Sequence, residues 1–281
     1  MEIARTIAEM RQQRSRASRI GFVPTMGFLH EGHLSLVRRA KQDCGAAAVS
    51  IFVNPTQFGP QEDFGRYPRD LERDLKLLAE EGVDLVFIPA VEEMYRPGEA
   101  TTVDVGPIAS LLEGAARPGH FRGVATVVCK LLNIVQPTRC YFGQKDWQQT
   151  IVVRTMARDL DLPAEIVVCP TRREPDGLAM SSRNVYLKDD ERVAATQLYR
   201  SLKAAALTFQ AGETSAQTLC RLVREGIAGE PKIALEYVRI SHPQTVEDLA
   251  VVDVPGAVMS LAARLGATRL IDNVVLDQPV T

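Results

Sequence analysis

The chain has 281 residues, 46% of them hydrophobic and 24% charged, enough for a sizeable core and two domains. Its formal net charge of -2 excludes a broad basic field, so nucleic acid is not an expected partner and any anion must be gripped by local groups. Five scattered cysteines without a CxxC pair read as buried thiols of a reducing compartment, not as a disulfide framework or zinc site. No secretory-type segment stands at the N-terminus and no apolar run has the length of a bilayer crossing. The expectation is therefore a cytoplasmic protein without a membrane partner.

In chain order, Ile20–Val23 is a compact apolar strand, followed by a Pro- and Gly-rich turn. A helix begins near Glu31, with Leu34, Val37 and Ala40 along one face. Ala46–Val53 reads as a fully buried strand, and Leu71, Leu75 and Leu78 repeat at helical spacing before a stop near Gly82. Val83–Ile88 is a third strand, and TTVDV is read as a short further one. VATVVCKLLNIV suits a buried helix, although its periodicity alone also admits a strand. RCYF, TIVVRTMARDL and EIVVC follow as strand, helix and strand.

This alternation predicts an α/β fold: a Rossmann-like, doubly wound parallel sheet. Beyond Asn184 the texture changes to two helical stretches, ERVAATQLYRSLKAAALTFQ and SAQTLCRLVREGIAG, and a strand-rich tail with ALEYVRI and AVMSLAARL. The domains are placed at 1–181 and 182–281, the second a smaller α+β unit.

The unusual residues fall between these elements. PTMGFLHEGH follows the first strand, NPTQFG the second, GQKDWQQ the RCYF strand and PTRREPDGLAMSSRN the EIVVC strand. Parallel strands place such loops along one carboxyl edge, where open α/β sheets bind ligands. That edge would collect His30, His33, Gln57, Lys145, Gln149 and Arg183.

Each feature has a bland reading. HxxH recurs on surfaces, and HEGH lacks the HExxH spacing and the third ligand of a zinc hydrolase, so no protein-held metal is expected. Lys145 and Asp146 fit a solvated helix start, MSSRN fits a helix cap, and Gln57 fits a turn. Their arrival together on one edge favours function. The helix start near Glu31 would offer unpaired N–H groups to an anion, with His33 adding donors and Lys145 and Arg183 positive charge. Gly27 would let the backbone approach a base or ribose. The absence of GxGxxG and of GxxxxGK[ST] counts against nicotinamide dehydrogenases and P-loop kinases.

PTMGFLHEGH resembles the HIGH-type signature of the nucleotidylyltransferase superfamily. Together with FVNPTQFGP, RPGHFRGVATVVCKLLNIVQP, FGQKDWQQ, DGLAMSSRN and RLIDN, it closely resembles the pantothenate synthetase (pantoate–β-alanine ligase) family over almost the whole chain. The resemblance implies ATP-dependent condensation of (R)-pantoate with β-alanine through a pantoyl adenylate, Mg²⁺ accompanying ATP, and a homodimer. It implies an ATP site formed by Met26, Gly27, His30, His33, Gly143, Gln144, Lys145, Asp146, Arg172, Met180, Ser181, Ser182 and Arg183. His33, at the family's proton-donor position, would be catalytic with His30, Lys145 and Arg183. Gln57 and Gln149 would bind pantoate, Gln57 also meeting β-alanine, with Asn54, Arg117 and His120 nearby. The smaller domain would cap the crevice.

Three positions depart from the family pattern: Gln144 replaces a usual Glu, Arg172 an apolar residue with a backbone contact to adenine, and Trp147 a smaller aromatic. Two rival readings are a simple nucleotidylyltransferase and a non-catalytic nucleotide sensor. The paired amides Gln57 and Gln149 argue against the first. Retention of His33 and Lys145 argues against the second.

Overall fold

The structure, a computed structural model, describes residues 1–60 and 62–280. Thr281, which closes the second predicted domain, lies outside them. The chain forms two compact units, Met1–Pro170 and Thr171–Thr281.

The first unit runs in chain order through β1 (Glu2–Ala4), α1 (Ile7–Arg14), β2 (Gly21–Thr25), α2 (Glu31–Cys44) and β3 (Ala47–Ile51). It continues with α3 (Leu71–Glu80), β4 (Leu85–Phe87), the single-turn helices α4 (Val91–Met94) and α5 (Glu113–Ala116), and α6 (His120–Val135). β5 (Arg139–Gly143), α7 (Trp147–Asp159) and β6 (Glu165–Cys169) complete it. All six strands are parallel, in the order β1-β4-β3-β2-β5-β6. This is the doubly wound sheet that the β-α alternation predicts. Buried Phe22, Ala48, Phe87 and Cys140 pack on one face against Val124, Val128 and Leu131 of α6 and Val152 of α7. Val23, Val49, Val86 and Tyr141 pack on the other against Leu34, Val37 and Ala40 of α2 and Leu78 of α3. The strands read as unbroken apolar runs because both faces are covered.

The direction of winding changes between β2 and β5, which is the topological switch point of the sheet. β2 is paired with β3 from Gly21↔Ala47 to Thr25↔Ile51. With β5 it is paired only at Gly21↔Arg139 and Phe22↔Cys140. The two central strands therefore part before their carboxyl ends, opening a crevice where the loops begin.

One predicted strand is absent. TTVDV (101–105) is irregular: the Val103 N–H donates to Thr126 Oγ1 at 3.0 Å, and Asp104 Oδ1 accepts the Gly106 N–H at 2.8 Å in a local turn. Side-chain acceptors have replaced a ladder there. VATVVCKLLNIV lies within α6, and its apolar residues face the core almost all round.

The second unit contains α8 (Asp189–Gln210), α9 (Ala216–Ala228) and an antiparallel sheet of β7 (Ile233–Ser241), β8 (Val258–Leu265) and β9 (Thr268–Val275), in that order. Leu198, Leu202 and Leu219 of the helices share its core with Val238, Leu261 and Val274 of the strands. The unit begins eleven residues before the boundary read at 181/182, because its own contacts hold residues 171–181. Arg173 and Ala179 form an antiparallel bridge, and Arg173 makes a bidentate pair with Asp272 of β9 at 2.7 and 3.0 Å. The Arg173 guanidinium also stacks 3.6 Å from the Tyr199 ring centroid.

Among the described residues no helix is long and apolar enough to cross a membrane. The five cysteines are free, but they are not uniformly buried as anticipated: Cys44 and Cys129 are only partly so.

Candidate active site

The loop after β2 carries the histidine pair. Thr25 Oγ1 donates to the Ser50 carbonyl and accepts the Gly27 N–H, and Gly27 turns the chain at φ 82°. A Cβ on Gly27 would lie 3.0 Å from both Asp74 Oδ2 and Ile51 Cγ2, so glycine answers to its own protein neighbours here. Phe28 follows at φ 50°. The chain then enters α2 with His30 as its N-cap.

The two imidazoles cap this helix reciprocally. His30 Nδ1 accepts the Gly32 N–H at 3.1 Å, and His33 Nδ1 accepts the His30 N–H at 3.3 Å. Their ring centroids are 4.1 Å apart. An Nδ1 that accepts must carry a lone pair, so each neutral ring bears its proton on Nε2. Burial drives His30 down to about 4, helped by Lys145, and drives His33 well below the usual imidazole range, helped by His30 and Lys145. Both rings are neutral near pH 7 and act as Nε2–H donors.

This arrangement corrects the expectation of unpaired N–H groups at the helix start. The N–H groups of His30 and Gly32 are taken by imidazole nitrogens, and those of His33 and Leu34 by the His30 carbonyl at 2.8 and 3.1 Å. Donor capacity has passed from the backbone to the ring edges. Lys145 belongs to the short turn Gln144–Asp146 after β5, across the switch point, and its Nζ lies 3.5 Å from Asp146 Oδ1. Gly143 ends β5, while Trp147 is buried in the first turn of α7.

The loop after β3 supplies amides. Asn54, 1% exposed, caps the turn Pro55–Gln57. Its Oδ1 accepts from Thr56 N–H, Thr56 Oγ1 and the Tyr95 hydroxyl, the last at 2.7 Å. Its Nδ2 donates to Gln57 Oε1 at 3.1 Å and to the Gly123 carbonyl at 3.2 Å. Gln57 Nε2 lies 3.1 Å from Met26 Sδ. A Cβ on Gly123 would sit 2.3 Å from the Thr56 carbonyl oxygen, so only glycine lets α6 pack on this turn. Gln149, in the first turn of α7, is partly buried.

Arg117 and His120 hold the same loop from behind. Arg117 pairs with Glu62 through Nε–Oε1 at 2.7 Å and Nη2–Oε2 at 2.6 Å, and its Nη1 lies 3.0 Å from His120 Nε2. The other ring nitrogen of His120, Nδ1, donates to the Gln57 carbonyl at 2.8 Å. The tautomer is thus opposite to that of His30 and His33. Burial, then Arg117, lowers this imidazole to about 4. Sequence reasoning missed Glu62, Tyr95 and Gly123, because none stands out by spacing.

The remaining predicted nucleotide residues belong to the second unit. Arg172 is exposed, and its carbonyl accepts the Met180 N–H at 3.0 Å, closing a small hairpin. Ser181 Oγ accepts the Arg183 N–H at 3.3 Å and caps the turn Ser182–Tyr186. MSSRN therefore caps a short 3-10 turn, and α8 starts later, at Asp189.

A doubly wound sheet whose switch-point loops present paired Nε2–H imidazoles beside a lysine defines an anion-binding α/β protein of the nucleotide-handling kind. The family model for pantoate-beta-alanine ligase matches residues 2–275. The chain is 60% identical over 277 residues to the pantothenate synthetase of Chloroflexus aurantiacus, covering 99% of each. Among solved structures, the pantothenate synthetase of Thermus thermophilus superposes with a TM-score of 0.94 at 51% identity, covering 98% of this chain and 99% of that one. The pantoate-beta-alanine ligase of Francisella tularensis, complexed with beta-gamma ATP and beta-alanine, gives a TM-score of 0.81 at 34% identity and covers 99% of each chain. The chain belongs to the pantoate–β-alanine ligase family, and it is an enzyme.

Proposed function

We propose that this enzyme condenses (R)-pantoate with β-alanine at the expense of ATP, through a pantoyl adenylate. A pantoate carboxylate oxygen attacks the α-phosphorus, the bond to the β-phosphate bridge breaks, and pyrophosphate leaves. The β-alanine amine then attacks the acyl carbon, AMP departs, and the amine loses a proton. The observation that carries this reading is the neutral imidazole pair beside Lys145 at the β2/β5 divergence. Charge grows on phosphate oxygens in the first step, and fixed Nε2–H and ammonium donors stabilise it without having to reorganise.

Within this reading Met26, Gly27, His30, His33, Gly143, Gln144, Lys145 and Asp146 serve the nucleotide. Arg172, Met180, Ser181, Ser182 and Arg183 are assigned to it by their match to the family motif. Gln57 and Gln149 bind pantoate, since an amide answers hydroxyl groups with both a donor and an acceptor. Asn54, Arg117 and His120 serve the acyl side by holding Gln57. Mg²⁺ would accompany ATP on phosphate oxygens and water. Two imidazoles and an ammonium form a donor set suited to those oxygens and not to a hard divalent cation. The enzyme is proposed to act as a cytoplasmic homodimer.

The test is isotope exchange between pyrophosphate and ATP. Exchange that requires pantoate but not β-alanine is the expected result. Exchange without pantoate, or only with β-alanine present, would overturn the adenylate.

A further inference from the structure

Asp74 lies in the first turn of α3, outside every loop at the carboxyl edge, and is 1% exposed. Leu78, fully buried one turn later on the same face, shows that it occupies a core-facing place, where a carboxylate costs desolvation unless it is hydrogen-bonded. Both carboxylate oxygens are committed to the histidine loop: Oδ2 accepts the Phe28 N–H and Oδ1 the Leu29 N–H, each at 2.7 Å. These are short, charge-assisted bonds. They seize the chain where Gly27 and Phe28 stand in successive left-handed conformations, with one residue between Phe28 and His30. Arg73 braces the same point, its Nη1 4.0 Å from Asp74 Oδ1 and its guanidinium 5.3 Å from the Phe28 ring centroid.

We infer that Asp74 is a positioning residue for the first chemical step: by clamping the Phe28 and Leu29 amides it fixes where the His30 and His33 rings stand. The inference rests on the functional reading above. An asparagine here keeps the shape but replaces one acceptor with an NH₂, which meets a loop N–H donor to donor. The strained loop then loses one anchor, and both imidazoles shift with it. Displacement of a catalytic group by about 1 Å costs on the order of tenfold to a hundredfold in rate.

The experiment measures pantoate-dependent pyrophosphate exchange by wild-type enzyme and Asp74→Asn, each well below its own melting temperature. The expected result is a loss of about tenfold or more in the maximal exchange rate, with KM for pantoate within about twofold of wild type. A maximal rate equal to wild type, or a raised pantoate KM with an unchanged rate, would overturn the inference. If Asp74→Asn does not fold, Asp74→Ser carries the same comparison, and failure of both to fold would assign the residue to stability alone and overturn it too. Wild-type enzyme that does not exchange at all defeats the functional reading instead, so the two failures are distinguishable.

Discussion

His30, His33 and His120 are held as neutral rings chiefly by desolvation, while the partners of their nitrogens fix the tautomers. Their folded-state values lie below the ordinary imidazole value, so the unfolded chain takes up protons first as the solution is acidified. The stability these rings contribute is therefore fully present above about pH 6.5 and is lost as pH drops toward about 4. Melting temperature measured across that window should decline, and His120→Gln should remove part of the decline. A pH profile identical to wild type would refute the neutral ring. For catalysis, His33→Ala should leave the fold intact and lower kcat by on the order of a hundredfold. Steady-state rates beside a circular dichroism spectrum check this. Gln57→Ala should chiefly raise the KM for pantoate while ATP still binds, which titration of the two ligands would distinguish.

At the scale of elements, the site depends on close approach. α6 can reach the turn Pro55–Gln57 only because Gly123 has no side chain. Gly123→Ala should separate them, costing about 1–3 kcal/mol of stability and weakening pantoate capture through Gln57. Denaturant unfolding and the pantoate KM would report the two effects. The strands β2, β3, β5 and β6 were legible as apolar runs because both sheet faces are covered, and their order along one edge made the loops legible as a site. Other features were not. β1 is three residues, Glu2–Ala4, too short to show a period, and β9 lies under the mixed run RLIDN. TTVDV had the β-branched texture of a strand but spent its donor on Thr126. Asp74 sits among alternating charges in LERDLKLL and looks like any solvated helix residue until its partners, far away in sequence, are seen. Glu62 and Tyr95 were hidden for the same reason: their meaning lies in tertiary partners.

For the whole molecule, each unit has its own core and its own polar anchor. In the second unit the Arg173–Asp272 pair is almost completely buried, its members joined across the span from the hairpin to β9. Removing one partner leaves a charge stranded, so Asp272→Ala should cost about 3–5 kcal/mol. Calorimetry should find the loss in the unfolding of residues 171–280, with the transition of the first unit little changed. The parting of β2 from β5 also has a bearing on biogenesis. The flank of β2 that receives β5 remains an open template during synthesis until α6 and Arg139–Gly143 have left the ribosome. A nascent chain halted before that point exposes Phe22 and Val23 along an unpaired edge, the kind of surface that chaperones cover and neighbouring chains capture.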